Sequence, residues 1–140
     1  MNKLLATVFL VSAHALLAPT ALAQAVSEKD GRLADANGRT LYTFDKDSAN
    51  ASACNGDCAG MWPPFAAAAG ASAKGDFGLV TRGDGSQQWS FKGKPLYYFS
   101  GDAKPGDAKG EGMGGAWHTV GMGAAKRSAP SGYDAIKGNY

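Results

Sequence analysis

The residues best suited to chemistry in this 140-residue chain are two cysteines four positions apart, Cys54 and Cys58. Two thiolates together with a histidine and thioether sulfurs are ligands that suit copper, and His118, Met61 and Met113 could complete such a set. The same spacing also suits a disulfide that closes a tight loop, which stabilises by about 2 kcal/mol through loop entropy. The compartment in which the chain folds decides between the two.

A second candidate is a repeated pair, Tyr42 with Asp47 and Tyr97 with Asp102. Two carboxylates related by a pseudo-twofold axis could act as acid and base, for example on a glycoside. As structure, each Asp could instead cap the loop after its strand, while the Tyr packs with its hydroxyl satisfied. Both copies keep the pair, whereas catalysis usually needs asymmetry. We therefore expect a structural role and no enzyme activity.

The N-terminus has the features of an export signal. Lys3 precedes an apolar run of about 14 residues, too short for a membrane span of roughly 20, and small residues suited to cleavage follow. We expect residues 1–23 to be removed, with cleavage after Ala23 or, as second choice, after Ala25. Gln24 follows the first cut and no cysteine lies nearby to accept a lipid, so we expect no lipid anchor.

Export settles the expected state of the cysteines. A periplasmic or secreted protein meets oxidising conditions, which favours a Cys54–Cys58 disulfide and no bound cofactor, with copper as the alternative. After loss of the signal His118 is the one histidine left, so a multi-histidine zinc site is excluded. Beside Trp117 it could be a general base or copper ligand, but a hydrogen-bonded structural residue is the commoner case.

The strongest internal signal is a repeat. The segment that begins at Gly38 matches the one that begins at Gly93 as GxxLYxFxxD, and the same offset of 55 relates Gly60 to Gly115 and Trp62 to Trp117. We interpret this as an internal duplication of one unit. The repeat motif comprises Tyr42, Phe44, Asp47, Trp62, Tyr97, Phe99, Asp102 and Trp117.

Turn dipeptides between short apolar segments predict hairpins, and hairpins make antiparallel sheet. Asn37-Gly38 is the preferred type I′ dipeptide and should join strands over 32–36 and 39–44. Asp84-Gly85 should join 78–82 with 86–91, and Lys92-Gly93 should join 88–91 with 94–99. Few stretches have helical periodicity, and the alanine-rich 66–73 is expected to be a surface loop.

The fold class is therefore all-β. We predict a single small antiparallel domain of two pseudo-symmetric repeats over 28–121, with repeat 1 over about 31–65, repeat 2 over about 86–121, glycine-rich loops and little helix. Residues 122–140 should form a loose tail. One aromatic core is expected, with Trp62 and Trp117 in equivalent buried places. The core set is Tyr42, Phe44, Trp62, Trp89, Phe91, Tyr97, Phe99 and Trp117.

Composition excludes several classes of partner. The 14 Lys and Arg against 12 Asp and Glu leave a net charge of +2, and the basic residues are scattered, which argues against nucleic acid binding. No long apolar run follows the N-terminus, so we expect no membrane span. The expected partner is an unidentified component of the envelope or the extracellular space.

Five segments resemble the bacterial secreted-repeat lipoprotein family with its Yx(F/W/Y)xxD motif: LYTFDKD, CNGDCAGMWPPF, VTRGDG, KPLYYFSGD and GGAWHTV. The resemblance spans roughly residues 31–121. It implies export and duplication, while the family's biochemical role is largely unassigned. Besides the repeat motif, the matching positions include Cys54, Cys58, Pro63, Pro64 and His118. We therefore expect an exported, non-enzymatic binding or structural module, with a copper-handling or redox protein as the alternative.

Overall fold

The computed structural model describes residues 26–121. The predicted signal peptide, its cleavage sites and the predicted tail over 122–140 lie outside the described residues. The regular structure of the described residues consists of seven short strands, one α-helix and one 3-10 turn. The elements are β1 (Val26–Lys29), β2 (Arg32–Asp35), β3 (Tyr42–Phe44), α1 (Asp57–Met61), β4 (Phe77–Thr81), β5 (Gln87–Phe91), β6 (Lys94–Pro95) and β7 (Trp117–Thr119), with a 3-10 turn at Met113–Gly115 before β7.

All strand pairs of the described chain are antiparallel, which confirms the all-β prediction. The strands form three small sheets with the orders β1-β2, β3-β7 and β4-β5-β6. Strand β1 was not predicted, and it begins at Val26, slightly before the expected start of the domain at 28. The expected long strand over 94–99 is a ladder only over Lys94–Pro95. From Tyr97 onward, backbone N–H groups donate to repeat 1 instead.

The hairpin turns differ from the prediction in one place. Asn37 does not adopt a positive φ, so Asn37-Gly38 is not a type I′ turn. The Asp35 N–H donates to the Arg39 carbonyl across a three-residue loop, with Gly38 at φ 81°. Lys92-Gly93 does have positive φ at both positions, as a type I′ turn requires. This loop, 36–38, has one residue more than the turn at Lys92-Gly93. Residues before the loop therefore correspond between the repeats at an offset of 56, and residues after it at an offset of 55.

The two repeats pair crosswise. Strand β3 of repeat 1 pairs with β7, which carries the tryptophan of repeat 2. The β3–β7 pair Tyr42–Thr119 has a counterpart at the offset of 55, since Pro64 of repeat 1 forms a β-bridge with Tyr97 of repeat 2. At the centre, the Tyr42 and Tyr97 backbones exchange two N–H to carbonyl hydrogen bonds, both 2.9 Å long. We call this arrangement, in which the sheet β3-β7 takes one strand from each repeat, the crossed pairing.

Equivalent contacts recur at the offset of 55, which confirms the two pseudo-symmetric repeats. The Asp45 N–H donates to the Ala116 carbonyl at 2.8 Å, and the related Ser100 N–H donates to Met61 at 3.0 Å. A pseudo-twofold axis therefore passes between Tyr42 and Tyr97.

A stack of four aromatic rings lies on this axis. The Trp62 and Trp117 rings are parallel, with centroids 3.8 Å apart and an interplanar angle of 1°. Phe44 stacks on the outer face of Trp117 at 4.2 Å, and Phe99 packs against Trp62 at 4.5 Å. Trp62 and Trp117 are both buried, in equivalent places as predicted.

The predicted single aromatic core is wrong, because the buried side chains form two clusters. The first holds the ring stack with Tyr42, Tyr97 and Cys54. Trp89 lies in the second cluster, with Phe91 packed at its margin. Adjacent residues of a strand point to opposite faces, so Leu41 and Leu96 enter the second cluster while the neighbouring tyrosines enter the first. The second cluster comprises Leu33, Leu41, Phe65, Trp89 and Leu96.

Candidate functional site

The tyrosine of each repeat bonds to the aspartate of the other repeat across the axis. The Tyr42 hydroxyl donates to Asp102 at 2.7 Å, and the Tyr97 hydroxyl donates to Asp47 at 2.8 Å. Each Asp also accepts a loop N–H, from Ala53 in one copy and from Lys109 in the other. Sequence reasoning anticipated the loop contact but missed that each tyrosine serves the carboxylate of the opposite repeat.

Burial shapes the protonation of this network. Burial raises the pKa of Asp47, while the bonds from Ala53 and Tyr97 oppose that rise. Burial, with the hydrogen bond to Asp102, raises the pKa of Tyr42 well above its ordinary value. The tyrosines therefore stay protonated as donors. Both carboxylates are occupied by donors of the fold, which is the geometry of a structural connection between the repeats.

The two cysteines form a disulfide, as predicted, and it closes the short loop that leads into α1. Cys54 is fully buried. The Arg82 guanidinium holds this loop in place, donating to the Cys54 carbonyl and the Gln88 side chain, both at 2.7 Å. It also donates to Ser52 and Asn55. Sequence reasoning did not identify Arg82 as the anchor of the loop, and no local pattern marks it.

His118 does not join the cysteines, which are oxidised. Its ring lies between two carboxylates, with Nε2 3.0 Å from Asp45 and Nδ1 3.3 Å from Glu111. The Glu111 hydrogen bond raises the pKa of His118; burial opposes the rise, and Asp45 adds to it. The carboxylates bind opposite sides of the ring, so they do not converge. Over residues 26–121, no three His, Cys, Asp or Glu side chains form a potential metal site.

The two methionines of the copper alternative lie at the surface. Met61 is 52% exposed and Met113 is 37% exposed. The disulfide sulfurs are not thiolates, so that alternative would require the Cys54–Cys58 bond to be reduced first.

A cleft of about 370 Å³ opens next to His118. Strand β3 and the residue after it form one wall, β7 and the residues after it form the second, and the β5–β6 hairpin forms the third. The lining residues are Thr43, Asp45, Phe91, Lys92, Lys94, His118, Thr119, Val120 and Gly121.

The cleft lies where the two repeats differ in size. In the other half, the positions of Thr43 and Val120 are taken by Tyr98 and Phe65, whose rings pack edge to face at 5.5 Å. The Tyr98 hydroxyl is tied to Asp35 at 2.9 Å. Two small side chains thus replace two aromatic rings.

The basic residue next to these positions also differs between the two halves. Arg39 lies over the Tyr98 ring at 4.0 Å from its centroid. Its counterpart at the offset of 55 is Lys94, which lines the cleft together with Thr43, the counterpart of Tyr98. Lys94 is exposed and takes part in no ion pair of the described chain.

Sequence reasoning missed this cleft and named only His118 among its residues. The signal was present in the repeats themselves, in the positions where the two copies differ rather than where they agree. Thr43 against Tyr98 and Val120 against Phe65 would have marked it.

Comparison with known proteins identifies the family but no characterised relative. Residues 24–66 and 78–121 each match a family described as a secreted repeat of unknown function. We found no match to the chain among the curated proteins or among the solved structures. Within the described residues, no helix is both long and apolar enough to cross a membrane. The two matches cover well over half of the chain and place the protein in the periplasm or outside the cell, and the chain belongs to this family of secreted repeats.

Proposed function

We propose that the protein is an exported, non-enzymatic binding module that takes a small ligand in the cleft beside His118. The observation that carries the proposal is the local loss of symmetry: one half is filled by Tyr98 and Phe65, and the other is left open by Thr43 and Val120. A volume of about 370 Å³ is near the lower end of small-molecule sites.

The non-enzymatic part of the proposal rests on how the reactive groups are used. Asp47 and Asp102 accept hydrogen bonds that join the repeats. The His118 ring contacts two carboxylates, and among the hydrogen bonds of residues 26–121 no hydroxyl or thiol bonds to that ring. A base without a nucleophile or a free acid lacks the partners that general acid–base catalysis needs.

The experiment compares the wild type with a variant in which the open half copies the closed one, Thr43→Tyr with Val120→Phe. Each protein is incubated with small molecules from spent culture medium, separated from unbound material, and analysed by native mass spectrometry. We expect the wild type to retain a small molecule that the filled variant does not. Retention by both proteins, or by neither, would contradict the proposal.

Two controls make the comparison decisive. A thermal melt shows whether the filled variant is folded, since the larger side chains are those that the other half accommodates. The single variant Lys104→Gln, which alters an exposed residue outside the cleft, should retain the ligand.

A further inference from the structure

We propose that the cleft selects small organic anions, with a carboxylate or phosphate held by Lys92 and Lys94 and an apolar portion against Phe91 and Val120. This inference rests on the proposed binding function and names its ligand class. It follows from the charges in the cleft, from how the carboxylates there are engaged, and from the apolar wall.

Lys94 takes part in no ion pair of the described residues, and the Lys92 ammonium lies 5.2 Å from the centroid of the Phe91 ring. Both are exposed, and the type I′ turn at Lys92-Gly93 fixes their backbone at the mouth of the cleft. The Gly93 carbonyl accepts the Asn50 N–H at 2.8 Å, which fastens the turn to repeat 1. Lys92 lies 3.9 Å from Asp76, at the outer limit for an ion pair between exposed groups. Such a contact contributes little, so an incoming anion can displace it.

The acidic groups nearby are already engaged. Asp45 contacts His118 Nε2 at 3.0 Å, and Glu111 contacts Nδ1. Glu111 also accepts the Thr119 N–H at 2.7 Å. Because His118 takes up both carboxylates, the lysines are left as the cations that an anionic ligand meets first.

The remaining wall suits an apolar group. Phe91 and Val120 are half-buried residues that line the cleft, and both pack at the margin of the second cluster. A ligand that carries only charge would leave this surface uncovered. A flat or branched apolar body next to the anionic head would cover it.

Protonation of His118 sets the charge of the cleft. The charged groups that face it are Asp45, from the segment after β3, and Glu111, from the segment before β7; Lys92 and Lys94 lie in the same cleft. Protonation of His118 adds one positive charge to a group that otherwise holds Lys92 and Lys94 against Asp45, Glu111 and, next to Lys92, Asp76. Anion binding should therefore weaken as the pH rises through the raised pKa of His118.

The test uses two probes of the same shape, benzoate and neutral benzamide, titrated into the 15N-labelled protein and followed by amide chemical shifts. We expect benzoate to shift the amides of Lys92, Lys94 and Thr119, with benzamide at least about tenfold weaker, which corresponds to about 1.4 kcal/mol. Phenyl phosphate and acetate form two further arms. Phenyl phosphate should bind like benzoate, and acetate should bind more weakly because it lacks the apolar body.

Matched variants locate the charge that matters. Lys94→Gln should weaken benzoate several-fold and leave benzamide unchanged, while Lys104→Gln, which alters an exposed lysine outside the cleft, should change neither. In His118→Gln the difference in benzoate affinity between about pH 6 and about pH 8.5 should disappear, because benzoate itself stays ionised over that range.

The outcomes separate the two proposals. Equal shifts of cleft amides by benzoate and benzamide would overturn anion selection and leave the cleft as a binding site. Benzoate shifts outside the cleft, or no shifts at all, would overturn the anion inference. A retained ligand that is neutral would overturn it as well, although the binding function would stand. A pH effect that persists in His118→Gln would contradict the role of His118.

Discussion

At the scale of single residues, the repeated Tyr and Asp work as a connection between repeats. The two hydroxyl to carboxylate bonds are 2.7 and 2.8 Å long and are related by the pseudo-twofold axis. Hydrogen bonds to a charged acceptor are the stronger kind, and a buried carboxylate that loses its donor is costly. The Tyr of each copy therefore stabilises the Asp of the other copy, so the connection needs the motif in both repeats.

We predict that Tyr42→Phe and Tyr97→Phe each lower the free energy of unfolding by about 1 to 3 kcal/mol. The reason is that Asp102 and Asp47 each lose a donor in a partly buried place. Urea denaturation of both variants measures the effect, and the two losses should be similar. Ser27→Ala, which removes one hydroxyl contact of an exposed residue, serves as control with little change. Losses below about 0.5 kcal/mol in both tyrosine variants would contradict the connection.

A second residue-scale prediction concerns pH. The pKa of His118 is raised above its ordinary 6.5, chiefly by the Glu111 hydrogen bond and then by Asp45. The folded state therefore binds this proton more tightly than the unfolded state does. Its contribution to stability is complete below about pH 6.5 and is lost as the pH rises through the raised pKa.

The measurement is the urea midpoint of wild type and His118→Gln from about pH 5.5 to about pH 9. The wild type should lose stability relative to the variant as the pH rises. A constant difference between the two would mean that the histidine does not titrate differently on folding.

At the scale of elements, the glycine-rich loop before β7 is shaped by the ring stack. A Cβ at Gly110 would lie 2.6 Å from Cη2 of Trp62, and that ring cannot move because Trp117 stacks on its face. We predict that Gly110→Ala costs about 1 to 3 kcal/mol of stability, as overpacking does.

Gly60 provides the matched control, since it lies in α1 and a Cβ there meets nothing within 4 Å. Gly60→Ala should be neutral or stabilising by up to about 1 kcal/mol, because alanine is the better helix former. Thermal denaturation of both variants distinguishes a steric requirement from a general intolerance of alanine. Equal effects in both would show that the Trp62 contact does not matter.

The disulfide loop leads to a prediction about copper. After reduction, Cys54 and Cys58 are a dithiol, while His118 is held by Asp45 and Glu111. We therefore expect reduced protein to bind Cu(I) no tighter than a generic dithiol. A Cu(I) titration against a competing chelator, with His118→Ala and Cys58→Ser, measures this. A tight stoichiometric site that both substitutions abolish would establish the copper alternative instead.

At the scale of the molecule, the crossed pairing makes each repeat depend on the other. We predict that a chain cut between Ser72 and Ala73, in an exposed segment between the repeats, yields two fragments that are unfolded alone and associate when mixed. Circular dichroism of the separate and mixed fragments tests this. Native-like spectra from either fragment alone would contradict the dependence.

The sequence predicted those features that depend on local chemistry and on the repeat. Turn dipeptides indicated antiparallel hairpins, the offset of 55 indicated the axis, and the compartment indicated the disulfide. The crossed pairing could not be inferred, because a repeat looks the same in sequence whether its strands pair within a copy or between copies. The cleft was missed for a related reason. The repeat was found from identical positions such as Tyr42 and Tyr97, whereas the cleft lies at positions that differ between the repeats, such as Thr43 and Tyr98.

The crossed pairing also has a consequence for specialisation. Two identical subunits that interlock in this way would form a symmetric dimer, in which every change appears twice and assembly depends on protein concentration. Joining the subunits in one chain makes their association intramolecular, so it no longer depends on dilution. It also lets a change on one side occur without its mirror image. One half then holds the packed rings of Tyr98 and Phe65, while the other has the smaller Thr43 and Val120 in the equivalent places.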